Sequence, residues 1–251
     1  MDILNSNETI SSTGFGSVKV VQGDGFKYGV DAILLAGFAC GETGASAIKK
    51  NAIVADLGSG CGIISMVVAY KRQDLLTDGF EVQKEEYDRA CRGAKLSDLQ
   101  SRCCFHNMNI LGTYLKEEFE SKYDAVVTNP PYFKRAGAIL NDNEAKTVAR
   151  HETSAGISDW LRVSNRVLKP GGDYYMVHRP DRLVDIISAM REHNIEPKEM
   201  QFVKPRTGKP ANIVLIHGVK DARPELKLLK EYVVHGEGQT YTDEINHIYG
   251  R

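Results

Sequence analysis

Residues 52–56, Ala-Ile-Val-Ala-Asp, run directly into Leu-Gly-Ser-Gly-Cys-Gly62 and then into the apolar stretch IISMVVAY. A β-branched strand, a glycine-rich turn headed by an acid and an immediate helix constrain the fold strongly. Such a turn belongs at the carboxyl end of a parallel strand, where the chain must cross back over the sheet as a helix. The pattern then repeats. Strands are expected near 79–82, 103–106, 123–128 and 173–177, and helices over 31–40, 62–72, 84–96 and 158–167. Two further apolar runs, 200–203 and 213–216, are separated only by Lys204-Pro-Arg-Thr-Gly-Lys-Pro210, too short for a crossover helix. They are therefore expected to pair antiparallel at the sheet edge. Alternating strands and helices of this kind make an α/β protein with a mostly parallel sheet covered on both faces.

A chain of 251 residues fits one large domain, or one domain with an appendage, at about 150 residues per domain. The expected division is an amino-terminal segment 1–50 with a short helix covering the site, a central domain 51–220 and a carboxyl-terminal appendage 221–251. With 42% hydrophobic and 26% charged residues the composition excludes a disordered or fibrous chain. The 32 basic residues balance 33 acidic ones, so no bulk positive charge grips nucleic acid, and any such contact must be local. The opening residues lack the basic start and apolar core of a secretory signal, and no run approaches the ~20 residues of a membrane span, so a cytoplasmic location is expected. Five cysteines, Cys40, Cys61, Cys91, Cys103 and Cys104, form no C-x-x-C pair, and no metal site is expected.

The turn can hold a ligand. Its glycines Gly58, Gly60 and Gly62 are spaced G-x-G-x-G, whereas the third glycine of a dinucleotide fingerprint would fall at Ile63, and no Lys-Ser/Thr pair follows to make a P-loop. Asp56 heads the turn and no base appears before Lys71, which suits a cation better than a phosphate. S-adenosylmethionine, with a sulfonium and an ammonium group, fits that description. Glu81, 25 residues after Asp56, ends the next strand, where a carboxylate can accept from both ribose hydroxyls. Asp56, Gly58, Ser59, Gly60, Gly62 and Glu81 are thus the candidate cofactor residues.

Asn129-Pro-Pro-Tyr132 follows the strand Tyr123–Thr128 and so belongs to the same sheet edge. Its two prolines stiffen the turn and supply no N–H, leaving an array of acceptors. The Asn129 side-chain oxygen and the Pro130 carbonyl can each accept from an N–H of a planar amine. Such bonds favour the positive charge that develops when the nitrogen attacks a methyl group. Tyr132 can stack on a planar substrate. The competing reading is a di-proline turn with an Asx cap.

Taken together, D-x-G-x-G-x-G and N-P-P-Y resemble the motifs of the class I S-adenosylmethionine-dependent N-methyltransferases. That resemblance implies a Rossmann-like fold with a seven-stranded, mostly parallel sheet ending in an antiparallel hairpin. The stretch Lys27-Tyr-Gly-Val-Asp-Ala-Ile-Leu-Leu-Ala-Gly-Phe38 resembles the amino-terminal signature of the tRNA1(Val) adenine-37 N6-methyltransferases. Ala149-Arg-His-Glu152 and Tyr241-Thr-Asp-Glu-Ile245 are similar to later segments of that family. The resemblance implies tRNA as the partner, places Asn129, Pro130, Pro131 and Tyr132 at the target base, and puts Asn109 and Asn129 beside the cofactor. Asn109 stands where the family usually carries an acid. Tyr28 and Asp31 are implied near the active site without a derived role. Phe133, Lys134, Arg135, Arg150 and the Lys204/Arg206/Lys209 loop are candidate RNA contacts, with a solvated surface as the competing reading. N5-glutamine methylation of a protein, or methylation of another RNA amino group, is the alternative activity. The family that performs it carries a larger helical domain ahead of the glycine turn, whereas 55 residues precede Asp56 here. His151 and His178 are given no catalytic role, and Trp160 is expected in the core.

Overall fold

The computed structural model describes residues 4–23, 28–111, 117–132, 156–238 and 240–251. The strands are β1 (Glu8–Ser12), β2 (Lys19–Gly23), β3 (Ile53–Leu57), β4 (Leu76–Glu81), β5 (Cys103–Asn107), β6 (Tyr123–Thr128), β7 (Leu168–His178), β8 (Ile195–Arg206), β9 (Ile213–Lys220), β10 (Lys227–Leu228) and β11 (Tyr232–His235). The α-helices are α1 (Val30–Ala39), α2 (Ile63–Lys71), α3 (Lys84–Leu96), α4 (Ile157–Val167), α5 (Leu183–Glu192) and α6 (Asp243–Ile248).

Seven strands, β3 to β9, make the main sheet in the order β8-β9-β7-β6-β3-β4-β5. All neighbours from β7 to β5 are parallel, and β9 runs antiparallel between β7 and β8. The fold is thus the α/β architecture that the alternating pattern implies. The short strands β10 and β11 add parallel pairings to the outer side of β8.

Side chains alternate across the sheet, and each face has its own core. Val54, Tyr175 and Val177 face α1 and α2, while Ala55, Leu57, Tyr174 and Met176 face α4 and α5. A strand buried on both faces reads as a continuous apolar run, which is why β3, β6 and β7 are visible in the sequence. The parallel pairing of Leu57 with Phe80 and Thr128, and of Glu81 with Asn107, aligns the carboxyl ends of β3, β4, β5 and β6 on one edge. His178 ends the neighbouring β7 at the same edge.

Two elements go beyond the sequence reading. Helix α5 was not anticipated, and residues 1–25, rich in Ser, Thr, Asn and Gly, include the antiparallel hairpin β1–β2. Packing on α3 orders this hairpin. Ser97 Oγ accepts from the Lys19 N–H at 2.9 Å, and Glu8, 3% exposed at its side chain, receives Arg92 at 2.5 Å and Arg89 at 3.0 Å. The Arg92 hydrogen bond is the main reason that the Glu8 carboxyl is lowered from 4.5 to about 2. A carboxyl with a depressed folded-state pKa contributes its full stabilisation above pH 4.5 and loses it as the pH falls toward 2. Glu8→Gln is therefore expected to lower the melting temperature at pH 6, and the gap to the unsubstituted protein is expected to shrink between pH 4.5 and pH 2.5. A gap constant with pH would refute the linkage.

Candidate active site

Asp56 is fully buried at the end of β3. Its Oδ2 accepts from the Ser65 N–H at 3.1 Å and the Ser65 hydroxyl at 2.8 Å, both in the first turn of α2. This tie joins the strand to the helix across the glycine turn. Its other oxygen, Oδ1, has no donor among the described residues, and neither has the buried Ser59 hydroxyl a partner there. Burial raises the Asp56 carboxyl to about 7, and the nearby Glu81 charge adds to the rise.

The turn is fastened to β4. The N–H groups of Gly58 and Ser59 donate to the Phe80 carbonyl at 2.9 and 3.0 Å. Glu81, 5% exposed, accepts from the Gly60 N–H at 2.9 Å through Oε2 and from the Gln83 N–H at 2.8 Å through Oε1. Two donors leave a carboxylate about two further acceptor sites, enough for a pair of hydroxyls. Burial pushes the Glu81 carboxyl upward. Gly60 has φ of +52°, and a Cβ built on it would meet nothing within 4 Å, so the turn borders open space. On the opposite side of the turn, a Cβ at Gly58 would lie 2.7 Å from the Trp160 ring. Trp160 is core, as expected, and props the turn from below.

An unpartnered carboxylate oxygen, an unpartnered hydroxyl and a glycine facing open space suit a cationic nucleoside ligand such as S-adenosylmethionine. Asn109 lies beyond β5, exposed, with its side-chain oxygen accepting the Leu111 N–H at 3.0 Å. Asn107 was not singled out in the sequence, yet its amide donates to the carbonyls of Glu81 and Val82 at 2.9 and 3.1 Å and holds the end of β4 in place.

The Asn129 corner begins where β6 ends. The Thr128 hydroxyl donates to the Leu57 carbonyl at 2.9 Å, locking the corner to the start of the glycine turn. Asn129 Nδ2 donates to Asp31 Oδ2 at 3.2 Å, and the Tyr132 hydroxyl donates to the same oxygen at 2.8 Å. The sequence placed Asp31 near the site without a role; the structure puts its carboxylate against both ends of the Asn-Pro-Pro-Tyr corner. Tyr132 also meets the His178 ring edge-on at 5.1 Å and lies 5.3 Å from the Arg179 guanidinium carbon. Burial, with Asp31 adding, drives the Tyr132 phenol far above its ordinary range. His178 Nδ1 accepts the Arg179 N–H at 2.8 Å, and burial lowers the imidazole, favouring its neutral form. Arg179 was missed, although its position just past the end of β7 was a usable signal.

Tyr28 is half-buried and packs against the core near Cys61 and Tyr241. Lys204 pairs with Glu231 at 2.6 Å, Arg206 donates to the Gly238 carbonyl at 2.8 Å, and Lys209 is exposed in the β8–β9 turn at the active-site edge of the sheet. Phe133, Lys134, Arg135, Arg150, His151 and Lys27 lie outside the described residues.

The acidic glycine turn and the Asn-Pro-Pro-Tyr corner share the carboxyl edge of the sheet of a methyltransferase. Residues 45–194 match the model of the family described as Methyltransferase small domain, and the chain belongs to that family. It is 28% identical over 219 residues to the tRNA1(Val) (adenine(37)-N6)-methyltransferase of Aeromonas salmonicida, covering 86% of each chain. It is 26% identical over 190 residues to the protein of the same name from Parabacteroides distasonis, covering 76% of this chain and 75% of that one. Among solved structures, a predicted O-methyltransferase from Agrobacterium tumefaciens superposes with a TM-score of 0.69 at 20% identity, over 88% of this chain and 95% of that one. A SAM-dependent O-methyltransferase from Thermotoga maritima gives 0.54 at 15% identity, over 80% and 68%. Among the described residues no helix is long and apolar enough to cross a membrane.

Asp56→Asn keeps an oxygen for Ser65 and removes a charge that is costly to bury. The unfolded chain ionises this carboxyl from about pH 3.8 while the folded protein keeps it neutral up to about 7, so ligand-free stability falls as the pH rises between these values and is level above them. The melting-temperature advantage of the variant is expected to grow from pH 4 to pH 7 and to stay constant from there to pH 8. Calorimetry at pH 8 is expected to show S-adenosylmethionine binding weakened ~10-fold or more, since charge-assisted bonds contribute about 1.5–3 kcal/mol. Unchanged binding would remove Asp56 from the cofactor site.

Proposed function

We propose that this chain methylates N6 of an adenosine in a tRNA anticodon loop, adenosine 37 of a tRNA1(Val)-type molecule. The observation that carries the reading is the orientation of Asn129. Its amide nitrogen is committed to Asp31, and its amide oxygen, with no donor among the described residues, is left to accept from an incoming amine. The names of the relatives, matched over 86% and 76% of the chain, favour an adenine in tRNA over other planar amines.

The amine nitrogen of adenine is a weak nucleophile because its lone pair is delocalised into the ring. Asn129 Oδ1 and the Pro130 carbonyl, as acceptors for its two N–H groups, favour the positive charge that builds on nitrogen as the new bond forms. No side chain has to remove a proton first. Tyr132 provides the stacking surface, its ring fixed by Asp31 and flanked by His178 and Arg179. Asp56, Ser59, Gly60 and Glu81 hold the cofactor beside this corner, and S-adenosylmethionine supplies an electrophilic methyl group when bound. Juxtaposition of two held reactants then lowers the barrier without a metal or covalent step. A base in an anticodon loop is already partly unstacked, so presenting it costs a few kcal/mol or less.

Labelled methyl transfer to total tRNA, followed by nucleoside digestion, is expected to yield N6-methyladenosine. Label appearing in a protein glutamine instead would replace this reading. Asn129→Ala is expected to lower kcat by ~100-fold or more, the cost of losing one oriented hydrogen-bonding group, with cofactor affinity within a few-fold of the unsubstituted protein.

A further inference from the structure

Asn129 is useful as an acceptor only if its amide is turned the right way, and an amide has two nearly isosteric orientations. Nothing in the Asn-Pro-Pro-Tyr sequence selects one. The choice is made 98 residues away in sequence, at the start of α1. Asp31 Oδ1 accepts from the Ala32 N–H at 3.0 Å, anchoring one side of the carboxylate to the helix. Its Oδ2 is thereby presented outward, where Asn129 Nδ2 at 3.2 Å and the Tyr132 hydroxyl at 2.8 Å both donate to it. Gly29 makes room for this arrangement, since a Cβ there would lie 2.5 Å from Asp31 Oδ1.

A carboxylate accepts at both oxygens and donates at neither. We infer that Asp31 is the positioning residue of the reaction, turning the Asn129 amide oxygen toward the target amine and holding the Tyr132 ring in its stacking plane. The inference rests on the reading of Asn129 as the acceptor for the substrate nitrogen. It assigns the amino-terminal segment a direct share in the chemistry of a corner on β6. Asp31 itself touches no reacting atom in this scheme.

The chemistry of the two oxygens makes the isosteric substitution informative. In Asp31→Asn one oxygen position becomes an NH2 group. Placed at the Oδ1 position, it opposes the Ala32 N–H, donor against donor. Placed at the Oδ2 position, it opposes Asn129 Nδ2 and drives the Asn129 amide to flip.

Two measurements test the inference on the full chain. The first uses no RNA: the side-chain amide pair of Asn129 is assigned in a 1H–15N spectrum by its loss in Asn129→Asp, then followed in Asp31→Ala and Asp31→Asn. It is expected to move in both, with melting temperatures within a few degrees of the unsubstituted protein. An unmoved pair in Asp31→Ala overturns the positioning role, whatever the substrate. The second is steady-state methyl transfer to an anticodon stem–loop RNA. Asp31→Ala is expected to lower kcat by about 100-fold and Asp31→Asn by about 10-fold, because a misoriented group costs rate on this scale, with KM for RNA and cofactor within about 3-fold. Unchanged kcat, or a loss confined to KM, overturns the inference. If the unsubstituted protein leaves that RNA unmodified, the substrate reading fails, and the spectra still decide the role of Asp31.

Discussion

The pairing of β3 with β6 is the contact on which the rest of the site depends. These strands are separated by some 70 residues of chain, yet Leu57 and Thr128 lie side by side at their ends. The buried bond from the Thr128 hydroxyl to the Leu57 carbonyl fastens the join. Everything that follows either strand therefore starts from a common origin. The glycine turn leaves one strand and the di-proline corner leaves the other, so the two segments start side by side on one edge of the sheet. Open α/β sheets bind ligands at this edge for the same reason.

The two halves of the site use opposite electrostatics. The cofactor half is acidic and dry: Asp56 and Glu81 are both buried, and both are pushed toward their neutral forms by the loss of water. Buried carboxyls of this kind reduce the stability of the protein as they ionise. The acceptor half carries no buried charge of its own at the corner. Its prolines remove N–H groups, and Asp31 beside it is already engaged by two donors. The Arg179 guanidinium carbon lies 5.3 Å from the Tyr132 ring centroid at this corner.

Much of this was legible in the sequence, for identifiable reasons. Strands buried on both faces and helices bounded by clear breaks leave strong signals, and Lys84–Leu96 and Tyr123–Thr128 fall where the pattern put them. The glycine turn and the Asn-Pro-Pro-Tyr corner were readable because their composition limits the backbone itself. What escaped depends on partners far along the chain. The polar β1–β2 hairpin becomes ordered through Glu8 meeting Arg89 and Arg92 more than 80 residues later. Helix α5 was overlooked although Pro180 and Asp181 before it and Asn194, with φ of +54°, after it were usable signals. The role of Asp31 was invisible for the same reason as the hairpin: a carboxylate on a short helix has no meaning until the donors facing it are known.

One ammonium group shows how the chain is drawn shut. Lys71, 8% exposed at the end of α2, donates to both oxygens of Glu42 at 2.8 Å and to the Ile248 carbonyl at 2.6 Å, and it sits 4.7 Å above the Phe15 ring. Four segments that are remote in sequence meet on that nitrogen. The contact with the Ile248 carbonyl spans 177 residues, so the set around this nitrogen cannot be completed before the carboxyl-terminal helix is in place, and it closes the chain over a long sequence separation.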